Sequence, residues 1–66
     1  MNDAQKDYID YIERIMRMST ETMEEINQKL IVRNVGRYYG CTEEEMNEAV
    51  IEYVKEKGSR HAPASH

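Results

Sequence analysis

The sequence predicts an all-α fold, a small three-helix domain with a tight corner between helices two and three and a disordered C-terminal tail. Three observations carry this. Apolar residues recur at helical spacing in three separate stretches. Two Thr-x-x-Glu boxes, Thr22 with Glu25 and Thr42 with Glu45, mark helix starts. Gly40 stands directly before Cys41-Thr42, where one helix must stop so that another can begin. A chain of 66 residues holds one domain. Residues 1–58 are expected to form it, with residues 59–66 as the tail.

The first helix is expected from Asp3 to about Met18, capped by Asn2 or Asp3. Ala4, Tyr8, Tyr11, Ile15 and Met18 fall at spacings of 4, 3, 4 and 3, a heptad-like seam. Ile9, Ile12 and Met16 widen it to a globular stripe. Asp10 and Glu13 lie four residues before Arg14 and Arg17, the spacing of favourable helical ion pairs. Ser19, Thr20 and Thr22 offer a boundary, but no Gly or Pro enforces it. One continuous helix from Asp3 to Tyr39 is the alternative.

The second helix is expected from about Glu21 to Tyr39. Met23, Ile26 and Leu30 make one apolar face, Ile31, Val35 and Tyr38 continue on an offset one, and Val32 and Tyr39 lie wider still, an arc expected to be covered by neighbouring helices or by another chain. A strand over Leu30–Val35 is rejected, because nothing else in the chain would pair with it. The third helix is expected from Glu43 to about Lys57. Its stripe is Met46, Ala49, Val50, Tyr53 and Val54, with Ile51 outside. Lys55 and Lys57 suit the negative end of the helix dipole, and Gly58 follows as a stop.

The stretch from Val35 to Met46 is where most local rules agree. Gly40 accepts a left-handed backbone without penalty. The Thr42 hydroxyl is placed to accept the Glu45 amide, and the Glu45 carboxylate to accept that of Thr42. Cys41 and Met46 stand at the two positions of a hydrophobic staple. Glu43, Glu44 and Glu45 put negative charge where the dipole favours it.

Composition narrows the function classes. The net charge is −4, opposite to the basic footprint of a nucleic-acid binder. The single cysteine excludes an internal disulfide and a four-cysteine zinc site. No apolar run is long enough to span a membrane, and the first residues do not read as a signal peptide. The expected location is cytoplasmic. No cofactor and no metal site are expected. His61 and His66 fall in the tail with no fixed geometry, and the chain is too short to enclose a pocket of converging polar groups, so it is not expected to be an enzyme.

Gly36, Gly40, Cys41, Thr42, Met46 and Ala49 together resemble the turn of a helix-turn-helix unit. In that family a small residue in the first helix is followed four residues later by a turn Gly, and apolar residues lock the second helix. The resemblance covers about 20 residues and implies a helix-turn-helix DNA-binding transcription regulator. Its basic surface would be Lys29, Arg33 and Arg37, helped by Arg14, Arg17 or Arg60. The helix that would read DNA, however, presents Glu43, Glu44, Asn47, Glu48 and Glu52, and carboxylates repel phosphates.

The favoured expectation is therefore a small acidic, non-catalytic helical protein that binds a partner protein as an adaptor, regulator or inhibitor. Size and charge also suit a phage or mobile-element accessory factor, or a mimic that occupies a nucleic-acid-binding groove. Candidate contacts are an acidic face of Glu44, Glu45, Glu48 and Glu52 and a basic face of Lys29, Arg33 and Arg37. Tyr38, Tyr39 and Tyr53 are candidate interface aromatics, since Tyr is enriched at interfaces. The expected partners are another protein with a basic surface and a second copy in a homodimer. Nucleic acid is the lesser expectation. Cys41 is expected to be a buried staple residue.

Overall fold

Among the described residues four helices follow one another: α1 (Asp3–Arg17), α2 (Met23–Val32), α3 (Gly36–Tyr39) and α4 (Glu43–Ala64). The computed structural model describes the backbone of residues 1–64 and the side chains of residues 1–57. Among the described residues there is no strand.

α1 starts with a capping box at Asn2 and Gln5. The Gln5 amide donates to Asn2 Oδ1 at 2.8 Å and the Asn2 amide to Gln5 Oε1 at 2.9 Å. The buried face of α1 is Gln5, Tyr8, Ile9 and Ile12. It is rotated from the expected seam, with Tyr11 and Ile15 at its edge. A polar Gln5 can occupy the buried stripe because its side chain is satisfied twice, by Asn2 and by the Glu45 carbonyl. Met18 caps the helix end and is 83 % exposed, so it is no part of the seam.

The continuous helix from Asp3 to Tyr39 does not form. The last turn of α1 tightens, with the Met18 and Ser19 amides bonding back three residues to Ile15 and Met16. Ser19 Oγ accepts the Glu21 amide at 3.0 Å, a local turn that competes with helix. Thr22 and Glu25 then close the expected box, with the Glu25 amide on Thr22 Oγ1 and the Thr22 amide on Glu25 Oε1.

The expected second helix also breaks, after Val32. Asn34 is left-handed at φ 57°. The Val35 amide reaches the Leu30 carbonyl and the Asn34 amide the Ile31 carbonyl, both at 3.0 Å. These two bonds are the Schellman closure of a helix end. Asn tolerates the left-handed region better than other residues with a Cβ, which is why the break falls there. It also explains the offset of Val35 and Tyr38 from the face of Met23, Ile26 and Leu30.

α3 is a single turn that ends on Gly40 at φ 77°, with the Cys41 amide on the Gly36 carbonyl at 2.9 Å. The Thr42 box forms as expected, at 3.1 Å and 2.9 Å, and both staple residues, Cys41 and Met46, are buried. α4 keeps a helical backbone through Gly58 to Ala64, past the expected stop. Gly58 lowers helix stability there by about 1 kcal/mol relative to Ala but does not forbid it. The last two residues of the expected tail lie outside the described residues.

α1 packs against all three other helices, and α2 packs against α4. The core is Tyr8, Ile9 and Ile12 from α1, Met23, Ile26 and Leu30 from α2, Cys41, and Met46, Ala49 and Val50 from α4. Val54, expected in the stripe, is 40 % exposed. Among the described residues, no helix is long and apolar enough to cross a membrane.

Candidate functional site

The outer side of α4 is set by its inner side. Met46, Ala49 and Val50 are buried. With 100° per residue, the side chains turned away from them are Glu44, Glu48, Ile51, Glu52 and Lys55. All five are exposed. The arrangement is a ridge of three carboxylates and one ammonium around Ile51, which is 60 % exposed. Helix α4 is anchored along its opposite face by Met46, Ala49 and Val50.

Glu45, placed on this acidic face by sequence, has structural work instead. Its carboxylate accepts the Thr42 amide at 2.9 Å and the Asn2 side-chain amide at 3.3 Å. Its carbonyl accepts Gln5 Nε2 at 2.9 Å. The Thr42 amide, aided by Asn2 and the Thr42 hydroxyl, holds the Glu45 carboxyl below the ordinary carboxylate range, against a smaller opposing effect of burial. Glu45 thus ties the start of α1 to the start of α4.

The basic face is reshaped by the break at Asn34. Lys29, Arg33 and Arg37 are all exposed, but Arg37 lies on α3 and no longer shares a helix with Lys29. Lys29 forms an ion pair with Glu21. That contact, largest among the causes, lowers the Glu21 pKa. The expected pairs of Asp10 and Glu13 with the α1 arginines are not among the ion pairs of the described residues. Glu13 accepts the Tyr53 hydroxyl at 2.6 Å instead. Gln28, Lys29, Val32 and Arg33 line one shallow depression on α2, and Val32 within it is 84 % exposed.

The three candidate aromatics separate. Tyr38 is 83 % exposed. Tyr39 packs between Tyr8 and Tyr11, with ring centroids 6.2 Å and 5.6 Å away, and burial raises its pKa. Tyr53 is half-buried, with the Lys57 ammonium 5.3 Å over its ring. Tyr38 alone of the three turns its ring to solvent.

Two features lay beyond the sequence reading. Tyr8, fully buried, donates its hydroxyl to Asn27 Oδ1, and Asn27 Nδ2 donates to Asn47 Oδ1 at 2.8 Å. Burial, followed by the nearby Cys41, drives the Tyr8 pKa far up, so the hydroxyl stays a donor. The exposed Val32 is the other, since the wide apolar arc it belongs to is expected to be covered by its neighbours or by another chain. Apolar periodicity marks residues that are inside, and gives no signal for one left outside. Cys41 is buried as expected. Burial, and then Glu45 and Asp7, push its thiol up, away from the reactive thiolate.

Fold and surface together define a small all-α protein with an acidic ridge on one helix and a basic-apolar depression on another. Compared with protein-family models, curated proteins and solved structures, the chain matches none.

Proposed function

We propose that this chain is a non-catalytic binding protein, an adaptor, regulator or inhibitor, whose α4 ridge receives a partner protein with a basic surface. The observation that carries the reading is Ile51. An exposed branched apolar side chain stands in register with Glu44, Glu48 and Glu52 on a helix anchored from behind. An apolar anchor within like charges combines burial energy with steering and choice of partner. The same ridge suits a factor of mobile elements that fills a nucleic-acid-binding groove by presenting carboxylates to the basic residues there.

A DNA-binding regulator is the competing reading. The α3–α4 corner keeps the Gly36 and Gly40 spacing of a helix-turn-helix unit, but the second helix of that corner offers Glu43, Glu44 and Glu48 to the phosphates. Titration with a lysine-rich peptide carrying one leucine anchor, and with random duplex DNA, separates the two. Binding of the peptide at low salt, weakened by Glu48→Arg and by Ile51→Ser, is the expected result. Retardation of the DNA that is lost in Arg33→Glu would replace this reading with the regulator.

A further inference from the structure

We infer that the Val32 depression on α2 is a second docking surface, and that its occupant is the α4 ridge of another copy of this chain. The inference rests on reading the ridge as a docking surface. Both halves of the contact lie on one molecule, and they complement each other twice. Val32, 84 % exposed, sits beside Lys29 and Arg33. Ile51, 60 % exposed, sits among Glu44, Glu48 and Glu52. Joining the two faces buries an aliphatic side chain from each and sets arginine against carboxylates, the planar pairing that guanidinium favours. Arg33 and Arg37 have no ion-pair partner among the described residues, while Lys29 is already held by Glu21, so the arginines supply the free charge. Lys55 on the ridge opposes them and has the neighbouring Glu52 to offset it.

A single such contact is head-to-tail, since the ridge of one copy meets the depression of the next. Each joined pair keeps one free depression and one free ridge. Growth continues with concentration unless a ring closes. A basic partner on the ridge would compete with this contact and release single chains, which gives the ridge a built-in competitor.

Sedimentation equilibrium of the full chain tests this. The expected result is an average mass that rises with concentration, with an affinity falling roughly tenfold or more between about 50 mM and about 500 mM salt. Arg33→Glu and Glu48→Arg should each stay helical by circular dichroism and sediment as monomers. Mixed in equal amounts they should associate again, since one supplies an intact ridge and the other an intact depression. A wild-type monomer at every concentration overturns the inference, as does association that survives both reversals or a mixture that stays monomeric. Should either variant unfold, Val32→Ser and Ile51→Ser take its place, each expected to weaken association at least tenfold, and unchanged association in both overturns the inference. The anchored lysine-rich peptide keeps the two readings apart. If it binds a chain that never self-associates, the ridge reading stands and this one falls. Self-association without peptide binding gives the reverse.

Discussion

Asn27 and Asn47 join α2 to α4 through a 2.8 Å side-chain hydrogen bond, and the same Asn27 amide group accepts the hydroxyl of the fully buried Tyr8. One residue therefore fixes the relative register of three helices. Apolar contacts alone would tolerate sliding, whereas this relay is satisfied at one register only.

Replacing Asn27 with Ala leaves the Tyr8 hydroxyl buried without its acceptor. The expected loss is about 1–3 kcal/mol, the cost of an unsatisfied buried polar group. Tyr8→Phe combined with Asn27→Ala should cost less than the two changes summed, because the second removes what the first orphans. Urea denaturation of the four proteins in this cycle measures it; simple additivity would mean the relay carries no coupling.

The α3–α4 corner makes two different demands on glycine. At Gly36 a Cβ would lie 2.7 Å from the Cys41 carbonyl oxygen and closer still to the Met46 sulfur. Gly36→Ala should cost about 1–3 kcal/mol from overpacking. Shortening Met46 should not restore it, since the carbonyl is backbone and cannot move aside. At Gly40 no atom stands within 4 Å, and the constraint is the φ of 77° itself. Gly40→Ala should cost roughly 1 kcal/mol through backbone strain, and Gly40→Asn less. Thermal melts of the variants distinguish the steric cost from the conformational one.

Asn34, left-handed at φ 57°, ends α2 where no Gly or Pro marks a stop. Asn34→Gly should be neutral or slightly stabilising, and Asn34→Ala should cost about 1 kcal/mol, because only the latter resists φ 57°. Hydrogen exchange at the Asn34 and Val35 amides, which close the α2 end, should speed up in the Ala variant. Unchanged protection would mean the turn is held by packing around Val35 instead.

Glu45 gives stability a pH dependence of known sign. Its folded pKa lies below the ordinary value of about 4.3, so below neutrality the unfolded chain takes up the proton first. The contribution is full above about pH 5 and fades as pH falls through the unfolded and then the folded value. Glu45→Gln keeps an acceptor for the Thr42 amide but cannot titrate. Its stability should therefore decline less steeply between about pH 5 and about pH 3 than that of the wild type. Equal slopes in paired urea titrations would show that the box does not favour the charged form.

What could be read in advance follows from range. Thr22 with Glu25, Gly40, and Thr42 with Glu45 are completed within four residues, so their chemistry is written locally. The break at Asn34 is local too, but Asn is a weaker left-handed signal than Gly, and the β-branched residues around it blurred the helical face. Beyond reach were the contacts that only tertiary packing creates. Asn27 meets Tyr8 across 19 residues and Asn47 across 20, and Gln5 meets Glu45 across 40. Polar residues at buried positions look like surface residues to any hydrophobic pattern. On the candidate site, the exposed carboxylates Glu44, Glu48 and Glu52 were legible as charges at helical spacing. The commitment of Glu45 was only half legible: its cap is local, but its bond to Asn2 is not.

The clasp of Asn2 and Gln5 on Glu45 bears on the order in which the molecule can be made. A ribosome delivers the amino end first, yet the buried amide of Gln5 finds its outside acceptor only on a residue 40 positions later. Until Glu45 emerges, α1 has its cap and can rest part of its buried face on α2, but Gln5 lacks its outside acceptor. Tyr8, Ile9 and Ile12 are fully enclosed only when α4 joins α2 against α1, so a helix far along the chain is the one that closes over the first.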